Sequence, residues 1–374
     1  MAAVLVGCCL YSCKGKGGGK GEEKIADSLA YFTKQIKEHP NDAEWYYKRA
    51  KFQFEHDFVE EAHDDIIKAV KIKNTQSSYY LLLADIDFAR NISNREKRDN
   101  VEEHLQKAIQ LDPSNNEARI RLAEFLYFYA KGDPTLYDEA LQLIAEAREK
   151  DPYSPNADAF LIEAMCYKEK GDTSRYLQHI QKVIDIDENS VKAYREMGQF
   201  YKKHNNPLGI DYYQNALRVD PTNAEINYNL GEFYIQLGLI EEANELFQHM
   251  VTVVKPNQST QYIQLVHWKA PRDKNDPTSV EYIAAAYYHL GYYSLYEKQD
   301  DQEAIELFTK AINSRTKDNN ILVNSYYARG ECYENLGQYD QARIDYNRAL
   351  QIVDNFEPAI QGLNSIDQKQ KALE

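Results

Sequence analysis

Residues 227–247 read NYNLGEFYIQLGLIEEANELF, and residues 326–349 read YYARGECYENLGQYDQARIDYNRA. The two stretches align without a gap: Leu230 with Arg329, Gly231 with Gly330, Tyr234 with Tyr333, Gly238 with Gly337, Ala243 with Ala342, Phe247 with Tyr346. A small residue recurs in a first helical segment, a glycine marks a joint, and an alanine followed by a ring recurs in a second. Antiparallel helices joined by a short turn approach closely only where side chains are small, and large neighbours interlock beside those places. The pattern is a helical hairpin used more than once.

Sliding this template along the chain recovers eight copies. The small residue of the first helix is Ala50, Ala84, Ala123, Ala164, Gly198, Gly231, Gly291 and Gly330. The second helix carries Ala62, Ala140, Ala243, Ala304 and Ala342 at one small position, and Ala69, Ala108, Ala147, Ala216, Ala311 and Ala349 at another. Pro40, Pro113, Pro152 and Pro221 fall where second helices end, since proline cannot continue the ladder; Pro256 comes one residue late. Gly171, Gly238 and Gly337 fall at the joint between helices. This arrangement resembles the tetratricopeptide repeat (TPR), a helix–turn–helix unit of about 34 residues.

The resemblance implies an all-α fold, a right-handed α-solenoid of about eight repeats in which each covers the apolar face of its neighbour. It spans residues 25–374, with Ile25–Glu38 as an N-terminal capping helix and Pro358–Glu374 as a C-terminal one. Some copies are degenerate. Repeat five lacks the first alanine of its second helix, with Pro207 nearby, and longer turns are expected at 90–100 and 131–138. Residues 257–276 leave the register as an insertion between repeats six and seven, with Asp276 as a helix N-cap and Pro277 as the first helical residue after it.

Composition narrows the function. Of 374 residues 43% are hydrophobic, which excludes a disordered chain, and 59 acidic against 44 basic side chains leave a net charge of −15. An acidic body argues against a nucleic-acid partner, because phosphates need a basic face. No metal-ligand spacing, no GxSxG and no other catalytic constellation is present, so no catalytic residue, no metal and no cofactor is expected. Cys166 and Cys332 stand two residues after Ala164 and Gly330, at one register position, and read as small core residues.

Residues 1–24 are distinct from the body. MAAVLVGCCLYSC is followed by KGKGGGKGEEK, and Leu10-Tyr11-Ser12-Cys13 resembles a bacterial lipobox, whose cysteine receives a lipid. Leu5-Val6-Gly7-Cys8 fits the same letters, but Cys13 leaves an apolar stretch of ordinary length before it and a Gly/Lys tether directly after. No Lys or Arg precedes the apolar run. The resemblance implies a membrane partner through a lipid on Cys13 and a place in the bacterial envelope, at the outer membrane or facing the periplasm.

A TPR solenoid presents one face of each first helix to a concave groove, and the register puts Tyr47, Tyr228, Tyr288 and Tyr327 there. Most of the groove is acidic: Glu44, Asp85, Glu117, Glu124, Glu225, Glu232, Glu331 and Glu334. Repeats four and five instead offer Lys168, Lys192, Arg195 and Lys202, a basic island expected to take an acidic or C-terminal carboxylate segment of a protein partner. The clamp with which some TPR domains grip a terminal carboxylate is not matched beyond Arg195 and Asn229, since Ala285 and His289 replace its basic pair. Trp268, in the insertion, is a further candidate contact. The expected role is a non-catalytic protein-interaction scaffold tethered to the envelope. The alternatives are a soluble cytoplasmic adaptor, or an enzyme with a site near the insertion. The oligomeric state is left open.

Overall fold

The computed structural model describes residues 20–91, 95–255, 262–264, 269–271 and 277–372. Among them lie 18 helices. The first seven are α1 (Lys20–Glu38), α2 (Ala43–Glu55), α3 (Val59–Ile72), α4 (Ser77–Asn91), α5 (Arg95–Leu111), α6 (Asn116–Ala130) and α7 (Pro134–Lys150). Then come α8 (Ala157–Glu169), α9 (Thr173–Ile186), α10 (Val191–Lys203), α11 (Leu208–Val219), α12 (Ala224–Gln236) and α13 (Ile240–Val253). The last are α14 (Ser279–Tyr296), α15 (Asp301–Asn313), α16 (Asn319–Asn335), α17 (Tyr339–Ile352) and α18 (Glu357–Lys371). From α2 to α17 they pack as eight consecutive hairpins, with α1 and α18 flanking the first and last. Within each compact unit the helices form the all-α stack of hairpins expected from the repeats.

The chain divides into two compact units, Met1–Ser154 with Gln264–Ala270, and Pro155–Ile263 with Pro271–Glu374. The first has a core built on Ala50, Ala62, Ile66, Ala69, Leu83 and Ile86. In the second, Tyr213, Ala216, Leu230 and Phe233 form one cluster and Ala243, Phe247, Met250 and Ile283 another. The small positions are the points of closest approach. A Cβ on Gly231 would lie 2.4 Å from the Phe247 ring, and one on Gly330 would lie 2.8 Å from the Tyr346 ring. Gly238 and Gly337 turn the chain between helices at φ +77° and +72°, the left-handed region that side chains disfavour. Cys166 and Cys332 are fully buried, as their register position predicts.

Three local expectations change. Repeat five does fill the first small position of its second helix, with Gly209 rather than alanine; a Cβ there would come within 2.9 Å of Phe233 and 3.1 Å of the Gly198 carbonyl oxygen. The long turn expected at 131–138 is only Lys131–Asp133. Asp133 accepts from the Thr135 N–H, and Pro134 opens α7 where its missing N–H costs nothing. Helix α14 starts at Ser279, not at Pro277: the Thr278 hydroxyl accepts from the Val280 N–H and the Glu281 carboxylate accepts from the Thr278 N–H, a reciprocal cap. Within the insertion, Tyr262–Gln264 and Lys269–Pro271 pair as two short strands, β1 and β2.

One polar device recurs in the first and last repeats. Arg49 donates from Nε (2.5 Å) and Nη2 (2.8 Å) to Asp65, and Arg329 donates from Nε (2.7 Å) and Nη2 (2.8 Å) to Asp345. The remaining guanidinium nitrogen reaches a threonine of the preceding helix, Thr33 or Thr309. Both aspartates are 2% exposed, so the two-pronged geometry compensates charges that burial would otherwise penalise.

Candidate functional site

In the second unit α8, α10, α12, α14 and α16 are the first helices of repeats four to eight, and their side chains form a continuous polar and aromatic run. Its basic part is internally occupied. Lys168 Nζ donates to Glu196 Oε2 at 2.6 Å, Tyr176 donates to the same oxygen at 3.1 Å, and Arg195 Nη2 donates to Glu196 Oε1 at 3.2 Å. Arg195 Nη1 also reaches Glu225 at 3.4 Å. Glu196 is buried; burial alone would raise its carboxyl, but Lys168 and Arg195 outweigh that and hold it below the ordinary carboxylate value. Lys202 Nζ donates to the backbone oxygen of Asn229 at 3.1 Å, and burial lowers the pKa of its ammonium. Lys192, one turn before Arg195, is not a free cation either.

The structure therefore joins Lys168 and Arg195 at Glu196 and sets Lys202 apart, on Asn229. An incoming carboxylate would have to compete with partners already in place.

The aromatic candidates are held by other rings. Tyr47 stacks on Tyr79 at 4.9 Å, and Tyr327 lies between Tyr346 and Phe356 at 5.9 and 5.8 Å. Tyr228 packs against Tyr282 at 5.3 Å, and burial, with Glu232 nearby, pushes its phenol pKa upward. His289 stacks on Phe247 at 5.0 Å and places Nε2 2.9 Å from Glu232. Tyr288 contacts Phe308 at 5.9 Å and Tyr292 at 6.3 Å.

Tyr292 and Tyr296 belong to the same face and were not among the sequence candidates. Both are among the exposed large side chains, at 48% and 42%, with ring centroids 4.3 Å apart, and the Tyr296 hydroxyl donates to Glu331 at 2.7 Å. The signal was present as tyrosine at 288, 292 and 296, a four-residue spacing that puts all three on one helical stripe. Beside them a cleft of about 340 Å³ opens within the second unit, lined by Ile235, Ile240, Phe247, His289, Tyr292, Tyr293 and Glu297 among others. Its walls are apolar and aromatic with few polar groups, the make-up of a recognition pocket. Cys13 and Trp268 lie outside the described residues. Among the described residues no group of His, Cys, Asp or Glu is arranged to hold a metal, and no helix is long and apolar enough to cross a membrane.

Tetratricopeptide-repeat models match residues 209–253 and 323–356. The C-terminal part of a TPR repeat-containing protein from Cytophaga hutchinsonii superposes with a TM-score of 0.58 at 18% identity, covering 77% of this chain and 99% of that one. PilF of Pseudomonas aeruginosa (TM-score 0.48, 16% identity, 62% of this chain and 93% of that one) is also similar. So is human IFIT1, in a dimer with m7Gppp-AAAA (TM-score 0.46, 18% identity, 89% of this chain and 79% of that one). None of the curated proteins matches the sequence. The chain carries tetratricopeptide repeats at 209–253 and 323–356, and its fold of eight helical hairpins is similar to that of the Cytophaga structure.

Proposed function

We propose that this chain is a non-catalytic scaffold that binds a protein partner along the first-helix faces of its repeats and is held at a bacterial envelope membrane by a lipid on Cys13. The observation that supports binding is the tyrosine stripe of α14, exposed at Tyr292 and Tyr296 beside an open apolar cleft, where among the other described tyrosine, phenylalanine and tryptophan rings only Tyr31 and Tyr153 are exposed. Tyrosine suits such a surface: a rigid ring with a hydroxyl handle loses little entropy on contact. The tether rests on the apolar run ending at Cys13 and the Gly/Lys spacer after it. Cys13→Ser is expected to move the protein from the membrane to the soluble fraction and to abolish labelling by a palmitate analogue. Persistent membrane association of the variant, with no label on the parent protein, would overturn the anchor. For binding, affinity capture with the lipid-free body is expected to recover a partner that Tyr292→Ala loses, with the melting temperature unchanged.

A further inference from the structure

The scaffold reading leaves the chemistry of the partner open, and the inference here rests on that reading. We propose that the face of Tyr288, Tyr292 and Tyr296, with the adjoining cleft and the carboxylates of Glu297 and Glu331, binds an extended basic segment of a partner protein. An aliphatic side chain of that segment enters the cleft, and its lysine or arginine side chains lie across the tyrosine rings.

Charge decides the sign of the occupant. Glu297 lines the cleft, and Glu331 accepts from Tyr296, both at the C-terminal end of the stripe. Among the described residues neither carboxylate is paired with a cation. Of the cations nearest in sequence, Lys298 pairs with Glu303 at 2.9 Å while lying 5.7 Å from the centroid of Tyr293 in the cleft wall, and Arg329 pairs with Asp345. The histidine of the cleft, His289, is turned onto Glu232. An acidic segment would bring its carboxylates against Glu297 and Glu331, where Lys298 is nearby but has its charge already matched by Glu303. A second copy of this chain, at −15, meets the same repulsion.

The rings favour the same occupant. Tyrosine faces in this protein repeatedly take cations: Lys168 lies 5.7 Å from the Tyr176 centroid, Lys310 5.8 Å from Tyr287, and Arg329 5.7 Å from Tyr326. Tyr292 and Tyr296 have no such cation among the described residues, only each other and Tyr288. An exposed π-face beside unpaired carboxylates attracts an ammonium or guanidinium through both. The basic island at Lys168 and Arg195, by contrast, has its charges already matched by Glu196 and Glu225.

The test uses the full chain and two fluorescent peptides of equal length, one of alternating Lys/Arg and Leu, the other with Glu in place of each basic residue. The basic peptide is expected to bind with an affinity that falls as salt rises, and the acidic one not to bind. Tyr292→Ala combined with Glu297→Lys should weaken binding by about tenfold or more, while Glu139→Lys, the same charge change on α7, should not. Equal weakening by Glu139→Lys would mean attraction to net charge alone and would overturn the site. Binding of the acidic peptide instead would overturn the proposed chemistry and leave the scaffold reading standing. Failure of the basic peptide to bind would overturn the inference, and the partner-capture experiment would then judge the scaffold reading separately.

Discussion

Gly231 packs where the Phe247 ring leaves no room for a side chain, and Phe247 is itself buried and stacked on His289 at the wall of the cleft. Gly231→Leu is expected to destabilise the fold by about 1–3 kcal/mol through overpacking, measured by chemical denaturation. An unchanged midpoint would mean that α12 and α13 separate without cost. This contact was legible in the sequence because the template pairs a small residue with a ring sixteen positions on. Gly209 is less legible, because alanine fills this register position in five other repeats, although any residue lacking bulk meets the same steric demand. The roles of Lys168, Arg195 and Lys202 were equally hidden. Register puts cations on a face, but it does not tell whether Glu196, Glu225 or Asn229 on the neighbouring helix already holds them.

Elements hold to one another through a few polar ties laid over the apolar contacts, and the tie between α16 and α18 can be titrated. Glu334 on α16 accepts from Tyr346 at 2.7 Å, from Ser365 at 2.6 Å and from Lys369 at 2.8 Å. Burial alone would raise its carboxyl, but the hydrogen bonds from Lys369, Ser365 and Tyr346 outweigh burial and hold it below its ordinary value of 4.5. A carboxyl depressed in the folded state contributes its full stabilisation above the unfolded value and loses it as pH falls through the lower folded one. Glu334→Gln should therefore cost about 1–2 kcal/mol at neutral pH. Its melting temperature should converge on that of the parent protein as pH drops below 4.5. A gap that stays constant with pH would show that the carboxylate charge is not what matters. The capping role of α18 was readable from its polar composition, and its ion pair was not, since Glu334 and Lys369 are 35 residues apart.

At the scale of the whole molecule, the first of the three places where the chain passes from one unit to the other is a short stretch with unusual chemistry. Residues 151–156 read DPYSPN, between the end of α7 and the start of α8. Two prolines keep the segment out of either helix, and Tyr153 between them is 95% exposed, with no core to hold it. Each unit has its own buried cluster, around Ile66 and Leu83 in the first and around Tyr213 and Phe233 in the second. An aromatic residue on exposed, non-helical backbone is a good substrate for chymotrypsin, because the protease needs an extended segment that the packed hairpins do not offer. Limited digestion is expected to cut after Tyr153 before any other described tyrosine or phenylalanine, leaving one product that begins at Ser154. Tyr153→Ala should slow that cut without altering the melting temperature, since the side chain touches nothing that folding requires. Early cleavage inside α2–α7 or α8–α13 instead would mean that the repeats open locally more readily than the segment 151–156 is cut, and that the chain's weakest point lies within its hairpins.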